Sequence, residues 1–149
     1  MLEKGVGLSV TRGGLCQALS RLGARCEPTY AHLVESLQQE PSVIADETGW
    51  KVGGWLWAFA SDQLTVYAIL NGRGYEEATK ILNPDFDGFL VRDGLVVYLR
   101  FEAAIHQSCQ AHLIRRCSEM EKSASSGGAL FPVAVKGILQ AGLDLWARL

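Results

Sequence analysis

The chain has little net charge, no long hydrophobic run and no repeated segment, and each lack narrows what it does. Its 14 lysines and arginines are nearly balanced by 16 acids, giving a net charge of -2 and a pI near 5.9. A domain pI above about 9 is the usual electrostatic footprint of nucleic-acid binding. Contact with DNA must therefore come from local patches or from a metal that neutralises phosphates. No apolar stretch approaches the roughly 18 residues of a membrane span. Met1-Leu2-Glu3-Lys4-Gly5 offers neither the apolar core nor the small-residue cleavage site of an export signal. With no such signal, Cys16, Cys26, Cys109 and Cys117 are expected as reduced thiols in a cytoplasmic protein. What remains is one ordinary globular domain of 149 residues.

Hydrophobic periodicity divides the chain into an N-terminal helical segment, residues 1–40, and a mixed α/β region, residues 41–149. Leu15, Cys16, Leu19 and Leu22 fall at helical spacing, with Thr11 as a cap and Gly23 as a stop. Tyr30, Leu33, Val34 and Leu37 begin a second helix, with Pro28 near its first turn. The pair resembles a helix-turn-helix. No basic recognition face is visible, however, so a helical hairpin packed on the following domain is the expectation.

Val43–Val52, Trp55–Ala60 and Leu64–Leu70 read as strands, the first two joined by Gly53-Gly54, and together they form an antiparallel meander. A short helix on Tyr75, Ala78, Ile81 and Leu82 follows. Next comes an apolar strand, Phe89-Leu90-Val91-Arg92, ending in Asp93-Gly94. A strand reached through a crossover helix is expected to lie parallel to one already in the sheet. If its neighbour is the strand of Asp46, two aspartates meet. Residues 95–104 suggest a short helix or turn and Ile105–Cys109 a fifth strand. A helix from Ala111 carries Leu113, Ile114, Cys117 and Met120, and a final amphipathic helix turns Val135, Ile138, Leu139, Gly142 and Trp146 inward. Three antiparallel strands, a helix and a parallel strand is the order of the ribonuclease H-like fold.

The chemistry centres on Asp46, set in the apolar run Val43-Ile44-Ala45 and expected to be buried. A buried charge is costly unless it is paired or holds a metal. Asp46 and Asp93, presented by two strands, suggest a site for Mg²⁺ or Mn²⁺, since hard cations take carboxylate oxygens. Glu47 alternates to the other side of its strand and is not counted as a ligand. His106, Cys109, His112 and Cys117 invite zinc. Their spacing is no clean Cys-x₂-Cys or His-x₃₋₅-His pair, which favours a strand-to-helix junction whose histidines bond the backbone or line the acidic site. Arg115 and Arg116 form the best local basic pair for DNA phosphates, with His112 beside them. Trp50, Trp55 and Trp57 are expected in the core.

Ala45-Asp46-Glu47-Thr48-Gly49-Trp50, Val91-Arg92-Asp93-Gly94 with Tyr98, and His106-Gln107-Ser108-Cys109-Gln110-Ala111-His112-Leu113-Ile114-Arg115-Arg116-Cys117 come in one order, followed by Phe131-Pro132-Val133-Ala134-Val135-Lys136. In this they resemble the catalytic domain of bacterial insertion-sequence transposases of the IS66 family. The resemblance implies a DDE transposase, an enzyme of DNA transposition in which three acids hold divalent metal, DNA is cut, and a 3′-hydroxyl is joined to a target. Its first two acids fall on Asp46 and Asp93. The third, a glutamate in an Asn-Asn-x-Ala-Glu-Arg-like motif, is not found. The expectation is a C-terminally truncated domain, inactive alone, or an inactive remnant that binds DNA or a full-length transposase. Arg92 departs from the small polar residue more usual in the family. Among acids that could substitute for the third, Glu119 and Glu121 lie on a helix able to pass the sheet edge.

Overall fold

The computed structural model describes residues 11–125 and 127–148. By internal contacts the chain divides after Ser36 into two units. The first consists, over its described residues, of α1 (Arg12–Leu37) up to Ser36. Thr11 caps it: the Gly14 N–H donates to the Thr11 hydroxyl at 3.0 Å. The expected helical hairpin is absent here, because α1 runs unbroken through both Gly23 and Pro28. Leu15, Leu19, Leu22, Cys26, Tyr30, Leu33 and Leu37 form one continuous stripe at three- and four-residue spacing across both residues, and all of them but Leu37 are exposed. The expectation of a start at residue 8 falls partly outside the described residues.

The second unit is built on a five-stranded sheet in the order β3-β2-β1-β4-β5. Its strands are β1 (Ser42–Gly49), β2 (Trp55–Ala60), β3 (Thr65–Leu70), β4 (Phe89–Arg92) and β5 (Ile105–Ser108). β1, β2 and β3 form the antiparallel meander, with Glu47 opposite Trp57 and Phe59 opposite Val66. β4 pairs parallel to β1, and β5 parallel to β4. The crossover from β3 to β4 carries the short α2 (Tyr75–Ala78), less than the helix expected through Leu82. A 3-10 turn, Val96–Arg100, joins β4 to β5. After β5 come α3 (Gln110–Ser123) and α4 (Leu130–Trp146).

Alternation along the strands sorts the sheet into a covered and an open face. Val43, Ala45, Trp57, Phe59, Val66 and Leu90 face a core closed by Ala78, Leu82, Phe86, Tyr98 and Phe101. Trp57 stacks with Phe59 and meets Tyr98 edge-on, and its indole N–H donates to the Gly72 carbonyl at 3.2 Å. The opposite face carries Ile44, Asp46, Tyr67, Ile69, Phe89 and Ile105, all exposed. Asp46 therefore sits on the open side of a half-buried strand, 53% exposed, and not in the interior as its apolar neighbours suggested. Trp50 departs from expectation for the same reason. It lies beyond β1 on the phase of Asp46 and Thr48 and is 41% exposed, whereas Trp57 is fully buried. The last helix also differs: α4 packs on α3, and Ile138 and Trp146 of its expected inner face point to solvent.

The turn between β1 and β2 makes a graded demand on its glycines. Gly53 and Gly54 both have positive φ, 97° and 98°. A methyl on Gly53 meets open space, but one on Gly54 comes within 2.7 Å of the Leu70 carbonyl oxygen. Gly54→Ala is expected to cost about 1–3 kcal/mol, as strained backbone does, and more than Gly53→Ala. Urea melts of the two variants compare them directly.

Candidate active site

The parallel pairing decides where the acids go. Ile44 stands opposite Val91 and Ala45 opposite Arg92. The ladder ends there, so Asp46 and Asp93 are the next residues along two neighbouring strands, which lie about 4.8 Å apart. Asp93 lies just past β4, half-buried, and its carboxylate accepts the Leu95 N–H at 2.8 Å, closing the turn that Gly94 continues. The two acids thus sit at the carboxyl ends of parallel strands, where open α/β sheets bind ligands.

Helix α3 begins directly after β5, and the Cys109 N–H donates to the Arg92 carbonyl at 2.8 Å. This bond fixes the helix start against the end of β4. His112, Arg115, Arg116 and Glu119 then recur at three- and four-residue spacing along one side of α3. The His112 Nε2 is 3.9 Å from the nearer Asp46 carboxylate oxygen, and its Nδ1 is buried without a partner. The Arg116 guanidinium lies so close over Gly94 that a methyl there would meet its Nη1 at 2.8 Å. An open cleft of about 420 Å³ is lined by Arg73, Asp93, His112, Arg115, Arg116 and Glu119. The structure therefore gathers four of the five residues singled out from sequence, Asp93, His112, Arg115 and Arg116, around this cleft. The fifth, Asp46, touches it through His112.

The zinc alternative does not assemble. His106 uses Nε2 on the Phe101 carbonyl at 3.1 Å, and Cys117 is buried on the inner side of α3. The four cysteines are free thiols. Among the described residues no three of His, Cys, Asp and Glu form a group able to hold a metal. Asp46 and Asp93 fit Mg²⁺ as a two-carboxylate pair, since that ion commonly takes one or two carboxylates and fills its shell with water and substrate phosphate.

Sequence reasoning passed over the residues behind the site. Glu47 follows Asp46 but faces the core, its side chain fully buried. The Tyr98 hydroxyl donates to one of its oxygens at 2.6 Å. The Arg73 Nε donates to the other at 2.8 Å, and Nη2 joins it there. Burial pushes the Tyr98 hydroxyl well above its ordinary range, and the bond to Glu47 and the charges of Glu47, Asp93 and Asp46 add to that. The bond to Glu47 raises Arg73, with smaller contributions from the charges of Glu47 and Asp93. The signal for Glu47 was available: a carboxylate on the same phase as Val43 and Ala45 has to be paired inside. Arg73 gave none, because Asn71-Gly72-Arg73-Gly74 reads only as a chain break.

Two outcomes follow from this buried pair. Tyr98→Phe strips one charge-assisted hydrogen bond from a carboxylate that cannot reach water and is expected to cost about 1.5–3 kcal/mol in a denaturant melt. Because the folded protein holds the Tyr98 proton above the unfolded value of about 10, the bond's contribution is fully present below that pH and is lost as pH climbs through the folded value. In an alkaline titration, one phenol of the wild type is expected to ionise only together with loss of the far-UV helical signal. Tyr98→Phe abolishes that coincidence.

Comparison with known proteins gives the family. The family model described as "Transposase IS66 family" matches residues 1–140. The uncharacterized protein y4qI of Sinorhizobium fredii is 26% identical over 151 residues, covering 83% of this chain. The chain spans 28% of that relative's length. No solved structure matches. A family match over nearly the whole length identifies the chain as a member of the IS66 family of transposases.

Proposed function

We propose that this domain binds DNA and acts in its cleavage and strand transfer during transposition, with Asp46 and Asp93 as the metal-holding acids of a ribonuclease H-like fold in the cytoplasm. The observation that carries the reading is the β1–β4 register, which brings two motif aspartates, 47 residues apart in the chain, to one sheet edge. The strand order β3-β2-β1-β4-β5, with only β2 antiparallel to the rest, supports the fold.

Bound Mg²⁺ or Mn²⁺ would supply charge neutralisation on the scissile phosphate and a more acidic water. The chain's own residues do the rest. Asp46 and Asp93 would hold the cation from neighbouring strands. Arg115 and Arg116, on the exposed side of α3, meet phosphates along the backbone and fix its position. His112, beside Asp46, is placed to orient a phosphate oxygen or a water. A second reading, in which the domain binds DNA or a full-length transposase without cutting, is favoured by one observation: no third acid joins the pair among the described residues.

Metal and DNA separate the two readings. Mn²⁺ at about 100 times its Kd is expected to stabilise the wild type by about 2.7 kcal/mol, read as a rise in Tm, and to leave Asp46→Asn and Asp93→Asn unmoved. In Mn²⁺ with duplex DNA carrying the terminal repeat of its own element, nicking by the wild type that Asp93→Ala abolishes establishes the first reading. Binding to that duplex without nicking establishes the second reading, and no binding at all refutes both.

A further inference from the structure

We propose that Arg73 is a phosphate-binding residue of the cleft, held by Glu47 in a fixed orientation to receive the phosphodiester backbone beside the two aspartates. The inference rests on the DNA-binding reading above and adds to it a residue from outside the sequence motifs.

Three features set Arg73 apart from an ordinary surface arginine. Its guanidinium is clamped on two sides: by the fully buried Glu47 carboxylate and by the face of the Trp55 ring, 4.8 Å away at the centroid. Such clamping removes the rotamer freedom that usually makes a surface ion pair weak. Next, the pair spends few of the donors available. An arginine has five N–H groups; Nε and Nη2 each give one to Glu47, and the others have no partner among the described residues. Finally, the group is 40% exposed and lines the same cleft as Asp93, His112, Arg115 and Arg116.

An ion pair with one partner fully buried adds little net stability over a well-packed apolar pair. The arrangement makes chemical sense if the guanidinium's outer edge has an anion to meet. A phosphate suits that edge, since the planar fork of N–H donors matches two of its oxygens. Arg73 enters the cleft from the loop after β3 and Arg115 and Arg116 enter from α3, so a backbone laid across the cleft is gripped from both walls. Glu47 is then a positioning residue for Arg73, and Tyr98 holds Glu47 in turn.

The test is binding of a short duplex of arbitrary sequence to the intact chain in EDTA, followed by fluorescence anisotropy across about 50–200 mM salt. Each phosphate contact contributes about 0.9 to the slope of log K against log salt. Arg73→Gln is expected to make that slope shallower by about 0.9, while Arg73→Lys, which keeps the charge, retains it. Because Arg73→Gln leaves Glu47 alone in the interior, the double variant Glu47→Gln/Arg73→Gln supplies a neutral pair and the same shallower slope. A far-UV spectrum matching the wild type certifies the fold of each. If the folded double variant keeps the wild-type slope, Arg73 makes no phosphate contact and the inference falls while DNA binding stands. If the wild type itself fails to bind, the functional reading falls and takes this one with it.

Discussion

The parallel ladder between β1 and β4 is the constraint from which the site follows. Two carboxylates repel, and nothing in their own chemistry draws them together. They become neighbours because the apolar residues that precede them, Val43 and Ala45 on one strand and Leu90 on the other, bury against the same core in a fixed register. Side chains repeat every two residues, so a one-residue slip would put Asp46 and Asp93 on opposite faces and expose Val43 or Leu90 as well. Hydrophobic burial thus fixes the register that makes the two acids neighbours.

Immediately behind that ladder, the structure alternates charge by depth. Asp46 is open to solvent and Glu47, one residue on, is sealed in. The sealed carboxylate has both oxygens engaged, by Tyr98 and Arg73. Its negative charge is therefore answered within the protein, while those of Asp46 and Asp93 face the cleft. His112, Arg115 and Arg116 on α3 surround the acids with positive or protonatable groups, which accounts for how a chain of net charge -2 can present a locally basic wall.

Much of this was legible in the residues, and the parts that were not have identifiable causes. The glycine pair at 53–54, the β-branched run at 64–70 and the crossover before β4 announced the sheet, because turns and strands leave short-range marks. α1 reads locally as two helices because Gly23 is a stop signal and Pro28 a start signal, whereas one helical phase runs from Leu15 to Leu37. Asp46 was expected inside because Val43-Ile44-Ala45 looks apolar throughout, yet Ile44 lies on the open face. Arg73 was invisible because its importance comes from Glu47 and Trp55, 26 and 18 residues earlier. Spatial partners at such separations leave no periodic trace.

Strand order also sets how the site would come apart. β1 lies in the middle of the sheet with a partner on each side, and Asp46 is carried within it. Asp93 sits one residue past a short strand of four residues and is tied down only by local bonds, its carboxylate accepting from the Leu95 N–H and its carbonyl from Arg92 Nη1. Backbone amides around Asp46 accordingly belong to the slowest-exchanging part of the sheet, and those after Arg92 to a looser margin. The aspartate pair is built from one anchored member and one that can yield, so any partial opening of this domain dismantles it from the Asp93 side first.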